Sequence, residues 1–226
     1  MTFLPRRAAA AASLLALLLV ATACGDVSIN FSSAIEASGD VVSTSFDLDD
    51  FDEVEVQSAF TAFITVGDAT DIEILANESF VDELDVRVED DTLKIGMKSG
   101  VNLRNGTLEA RVQLPFLVRA KVSGASTATV VGAVGPDQAY EATGASELTI
   151  EGTGSTVRID ASGASDIDVR LDDVVAVDVE LSGASTVGVR HAETVTGELS
   201  GASDLTVPPD AIVDVDTSGA SDVNRR

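Results

Sequence analysis

The tripeptide Gly-Ala-Ser occurs six times, beginning at Gly124, Gly144, Gly163, Gly183, Gly201 and Gly219, with successive spacings of 20, 19, 20, 18 and 18 residues. A repeat of that length cannot bury an apolar face by itself. It folds by stacking on its neighbours into a solenoid. Two, four and six positions before each Gly the residues are mostly apolar, as in Val157, Ile159 and Ala161 or Val177, Val179 and Leu181. Four and six positions after each of the first five corners they are also apolar, as in Ile167 and Val169 or Val187 and Val189. Asp160, Asp166, Asp168, Asp178 and Glu180 fill the positions between. Alternation with period two on both sides of a corner is the pattern of half-buried strands. Each rung therefore reads as strand, tight corner, strand and a looser connection. Those connections, at 132–137, 152–155, 171–174, 192–193 and 208–210, absorb the changes in length and are rich in Gly, Pro and Asp. The pattern predicts an all-β chain coiled as a parallel β-helix. In such a coil Gly supplies the corner backbone, Ala is expected at a crowded inside position, and the Ser hydroxyl is expected to satisfy turn amides.

Composition supports a solenoid of small aliphatic layers. Hydrophobic residues make up 45% of the 226, aromatics only 4%, and Trp is absent. The formal charge of -24 argues against nucleic acid and anionic membrane surfaces as electrostatic partners. Cys24 is the one cysteine, so the chain contains neither an internal disulfide nor a cysteine-based metal site.

The first 24 residues read as an export signal: Arg6 and Arg7, an apolar run from Ala8 to Val20, then Ala21-Thr22-Ala23. The run is short for a membrane span. Val20-Ala21-Thr22-Ala23-Cys24-Gly25 resembles the bacterial lipoprotein signal, which implies lipidation of Cys24 and attachment to a membrane facing away from the cytoplasm. Ala21 stands where that pattern most often has Leu. Residues 25–44, rich in Ser, Ala, Gly and Asp, are expected to be a flexible tether, and 45–226 the β-helix domain. Within that domain 45–117 is expected to form irregular rungs and 118–226 the repeat rungs. Asn77 to Leu84 has the composition of one or two helical turns capped by Asn77.

Residues 46–226 resemble the bacterial family known as putative auto-transporter adhesin with a head GIN domain. The resemblance is carried by Val54-x-Val56-x-x-x-Phe60-x-Ala62-x-Ile64 with Gly67-Asp68 after it, and by the later Ser-Gly-Ala repeats between alternating strands. It implies a single-stranded right-handed β-helix on an exported, often lipid-anchored protein, and it brings no catalytic residues. The expectation is a non-enzymatic, adhesin-like or structural module of the cell envelope, with a glycan or protein as ligand. A polysaccharide lyase or hydrolase on the same fold is the alternative.

The candidates for chemistry are carboxylates. Three positions before the corners stand Lys121, Glu141, Asp160, Glu180, Glu198 and Asp216. Stacked at a strand spacing of about 4.8 Å, such acids repel one another, and calcium bound at Asp160, Glu180, Glu198 and Asp216 would relieve the repulsion. The Gly-Gly-x-Gly-x-Asp calcium repeat is missing, so the plainer expectation is a solvated acidic face with no cofactor. Tyr140 has the parity of a core residue, and His191 falls in a connection at the surface.

Overall fold

In a computed structural model, which describes residues 34–226, the chain winds into a β-solenoid with two facing sheets. The expected export signal, Cys24 and the first part of the expected tether lie outside the described residues. A front sheet of nine strands and a back sheet of ten are joined rung by rung at the Gly-Ala-Ser corners. From the rung of Glu53–Val56 and Thr61–Val66 across the stacked repeat rungs every pairing is parallel, and equivalent repeat positions stay in register: Ile159 beside Val179, Asp160 beside Glu180, Ala161 beside Leu181. The expected parallel β-helix is the observed architecture.

The period-two pattern places one row of each strand in the interior. Leu148, Ile167, Val187 and Leu205 form one fully buried stack from successive rungs, and Ala142, Ala161, Leu181 and Leu199 face them from the other sheet. Each such Val, Leu or Ile contributes about 1.5–3 kcal/mol on burial, and β-branched residues suit the pleated surface. Tyr140 is buried as expected. Its hydroxyl donates to Gln138 Oε1 at 3.1 Å, Gln138 Nε2 donates to the Thr153 carbonyl at 3.1 Å, and burial pushes the phenol above its ordinary range.

The corners turn with the glycine in the left-handed region, at φ +86° for Gly163 and +79° for Gly183. They also stack. The Ala184 amide donates to the Gly163 carbonyl at 2.7 Å and the Ala164 amide to the Gly144 carbonyl at 2.7 Å, so hydrogen bonding continues through the bend. A Cβ on Gly163 would collide with the Gly144 carbonyl oxygen, which makes glycine obligatory twice over. The inside position expected of alanine is taken by serine. Ala145, Ala164 and Ala184 are exposed, while Ser146, Ser165 and Ser185 are buried. Ser126 and Ser221 accept from the Phe60 and Ser203 amides as expected, at 3.3 and 3.2 Å, while other corner hydroxyls donate to carbonyls, Ser165 to Ser162 at 2.7 Å and Ser185 to Ser182 at 2.8 Å. A polar side chain can point inward here because its own corner supplies the acceptor.

The N-terminal part departs from sequential coiling. Glu53–Val56 and Thr61–Val66 form a rung that lies between two later segments. Glu53 pairs with Thr92 on one side and with Arg119 on the other. The chain leaves this rung, lays down antiparallel strands Asp71–Asn77 and Leu84–Glu89, and builds an outer rung from Thr92–Met97 and Leu108–Leu114. It then returns through 115–118, with Phe116 70% exposed and Leu117 buried, to start the repeat at Arg119–Val122. The antiparallel strands and Phe80, on the short helix Glu78–Val81, close this end. Asn77 precedes that helix without capping it. Its side chain donates to the Gly39 carbonyl and accepts from the Thr107 amide at 2.9 Å, tying three loops together. Strand Ile35–Glu36 and all but the last residue of Val41–Ser45 fall within the expected tether, so part of that segment is paired strand. Val42 and Thr44 are half buried where Val41–Ser45 pairs antiparallel with Asp71–Asn77, which supplies the partner that a tether would lack.

Candidate functional site

Register turns repeat positions into columns on the outer face of the front sheet. One column reads Glu55, Lys121, Glu141, Asp160, Glu180, Glu198, Asp216, and the column two residues earlier reads Glu53, Arg119, Ala139, Arg158, Asp178, Thr196, Asp214. Beside the acids, nearest the corner, lie the side chains of Thr143, Ser162, Ser182, Ser200 and Ser218. Acids and hydroxyls together line an open groove of about 530 Å³.

The charges along this face are distributed unevenly. Near the capped end they are matched: Lys94 meets Glu89 at 2.6 Å, Arg119 meets Glu53 at 3.8 Å, and Lys121 meets Glu141 at 3.0 Å. In mid-face Arg158 alone serves three acids on two rungs, with Asp160 at 3.1 Å, Asp178 at 3.2 Å and Glu180 at 2.6 Å. Hydrogen bonds to Asp160 and Glu180 raise the guanidinium's pKa further. Among the described residues no ion pair reaches Glu198, Asp214 or Asp216.

On the back sheet, Arg170 bridges Glu151 at 3.0 Å and Asp168 at 2.7 Å. Asp166 is exposed beside Glu147 on the preceding rung and Asp168 on its own strand, and its carboxyl is raised by desolvation first and by those two charges second. His191 is exposed in a connection, 3.3 Å from Asp172.

Asp160, Glu180, Glu198 and Asp216 thus share one column as their spacing predicts. They are a ladder, however, rather than a converging ligand set: among the described residues no three His, Cys, Asp or Glu side chains gather closely enough for a metal ion. Calcium needs several oxygens at about 2.3–2.6 Å around one point. Asp178, read from the sequence only as a polar position between apolar ones, and Asp214 stand in the neighbouring column. Ser58 and Ala59 turn the first corner with φ of +64° and +65°. The two aspartates could have been found by lining up the positions five before each Gly. The first corner has no Gly-Ala-Ser to mark it.

The model of the family described as "Putative auto-transporter adhesin, head GIN domain" matches residues 50–211. The chain belongs to that family. The matched span runs from Glu53–Val56 through Thr194–Leu199 and Asp204–Val207, and so stops short of Asp214 and Asp216. Solved structures repeat the fold of this head GIN chain. A putative adhesin from Bacteroides fragilis, 14% identical, superposes with a TM-score of 0.70 over 85% of this chain and 100% of its own. A putative adhesin from Parabacteroides distasonis, 16% identical, gives 0.64 over 84% of this chain and 83% of its own. A protein from the same organism described as a putative lipid binding protein, also 16% identical, gives 0.63 over 85% and 99%. No curated protein matches the sequence.

Proposed function

We propose that this head GIN chain is an exported, non-enzymatic protein of the cell envelope, anchored through lipidated Cys24, that binds a protein partner on the outer face of its front sheet. The observation that carries this reading is the groove of about 530 Å³, lined by a carboxylate column unbroken from Glu141 to Asp216 and a hydroxyl column unbroken from Thr143 to Ser218. A rigid, strongly signed surface steers a partner of opposite charge and fixes its orientation. The family description and the adhesin descriptions of two structural relatives support a role in adhesion. A protein ligand is favoured over a glycan because the groove is lined by carboxylates, hydroxyls and aliphatics and presents no aromatic face for sugar stacking. A catalytic reading has less support, since the acids follow the repeat, whereas an acid–base pair built for bond cleavage should interrupt it.

Two measurements test the proposal. Labelling of producing cells with an alkyne analogue of palmitate should tag the wild-type chain and spare Cys24→Ser; equal labelling removes the anchor. Cells displaying the wild-type chain should attach to cell-coated surfaces at least fivefold better than cells displaying the folded variant Glu141→Gln/Glu180→Gln/Glu198→Gln. Equal attachment removes the front face as the binding surface.

A further inference from the structure

The repeat carries one constellation twice, filled in one copy and open in the other. Arg158 lies on the front sheet with Asp160 two residues along its own strand, Asp178 beside it on the next rung and Glu180 diagonal to it. Two rungs further on, the equivalent positions are Thr196, Glu198, Asp214 and Asp216. All three carboxylates are retained, and the arginine has become threonine. Thr196 is too short to reach the acids that Arg158 spans, and its hydroxyl instead lies 3.5 Å from Asp178 and from the Val177 carbonyl. Glu198, Asp214 and Asp216 are exposed, and two of them line the groove.

The geometry points to this second copy as a receptor for an arginine side chain presented by a protein partner, docked at the open end of the acidic face. The filled copy is the independent observation that selects the ligand. It shows three carboxylates at this register and spacing holding a guanidinium at 2.6–3.2 Å through its separate N–H groups. A planar fork of donors suits carboxylates distributed over two rungs, whereas a metal ion would need them to converge. An ammonium group, acting as a point charge, engages fewer of the three at once. This inference rests on the reading of the front sheet as a binding face and names the chemistry recognised there.

Substitution from within the chain can fill the open copy. In Thr196→Arg the new guanidinium should take the place that Arg158 holds two rungs away, raise the melting temperature above that of Thr196→Gln, and exclude an external arginine. The experiment is a titration of the full chain, labelled with nitrogen-15, by acetyl-Gly-Arg-Gly-amide at low ionic strength, followed by amide shifts. In the wild type the shifts should saturate and centre on residues 196–198 and 214–216. The lysine peptide should bind at least threefold more weakly, and Thr196→Arg should weaken arginine-peptide binding at least tenfold. Shifts spread evenly over all the acids, equal binding of the lysine peptide, or unchanged binding by Thr196→Arg would each overturn the assignment. Attachment of displaying cells separates this failure from that of the underlying reading. If the three-glutamate variant loses attachment while Thr196→Arg keeps it, the guanidinium receptor falls and the binding face stands.

Discussion

The first rung and the repeat rungs turn the same corner with different residues. At Gly163 the backbone is left-handed, and the carbonyl of the corner below occupies the space a Cβ would need. At the first corner Ser58 and Ala59 adopt φ of +64° and +65° with side chains in place, and Phe60 fills the inward position that serine takes later. The difference lies in what is stacked behind. Below Ser58 the chain runs from Thr92–Met97 to Leu108–Leu114 through residues 98–107, too long a connection to form a matching tight corner. Gly124, stacked on Ser58, is intermediate: a Cβ there would meet the Ser58 amide nitrogen at an ordinary 3.5 Å. The bend itself asks only for positive φ. The requirement for glycine comes from corner stacked on corner.

That account ranks three substitutions, measurable by chemical denaturation. Gly163→Val combines an unfavourable φ with a backbone collision and should cost on the order of 3–5 kcal/mol, loosening the rungs on both sides. Gly124→Ala carries only the conformational penalty, about 1 kcal/mol. Ser58→Gly should lie within about 1 kcal/mol of wild type, because relief of strain offsets added freedom in the unfolded chain. Equal losses at Gly163 and Gly124 would show that stacking is not the cause.

The inward serine sharpens the same contrast. Ser185→Ala deletes a buried hydroxyl that donates to the Ser182 carbonyl at 2.8 Å and should cost about 1 kcal/mol. At Phe60, where the corner is filled by an aromatic ring, the stabilisation is apolar instead. A Ser185→Ala variant as stable as wild type would mean that the corner hydroxyl is incidental.

Much of this fold was legible because a repeat states its own register. Once Gly144 and Gly163 are equivalent, Glu141 must neighbour Asp160 and Ile150 must neighbour Val169, and both pairs do. The leading rungs were not legible in the same way. Nothing local in Glu53–Val56 signals that its partners are Thr92–Met97 and Arg119–Val122, because that choice depends on how the chain folds back after Asn77. For a related reason, it is not legible that serine rather than alanine points inward at the corner. Size favours alanine inside, and only the corner's own geometry reveals the carbonyl at 2.7 Å that lets Ser165 go there. At the front face the acid column was readable from spacing, while the role of Arg158 required both neighbouring columns.

The two ends of the front face differ in charge balance, and salt tests that difference. Arg158→Gln leaves Asp160, Asp178 and Glu180 facing one another across two rungs. It should lower the melting temperature at low ionic strength and progressively less toward 1 M salt, where the screening length falls to about 3 Å. Lys121→Gln, which frees the single acid Glu141, should have the smaller effect of the two. A reversed order would mean that the bridging arginine does not hold the middle rungs together.

The smallest effect is expected on the back sheet and comes with a sign. Asp166, though exposed, has its folded-state carboxyl raised, first by desolvation and then by Glu147 and Asp168. The folded chain therefore holds that proton more tightly than the unfolded chain does. Below the unfolded value the protonated group carries no penalty. As pH rises through the unfolded and then the folded value a cost develops, and above both it is constant. Asp166→Asn should accordingly be more stable than wild type at pH 7, by less than about 1 kcal/mol because the site is largely solvated and screened. The advantage should shrink on acidification through the carboxylate range and vanish once both forms are protonated. An advantage that grows on acidification would mean that Asp166 is stabilised as a carboxylate, and that repulsion between stacked acids is not what limits these rungs.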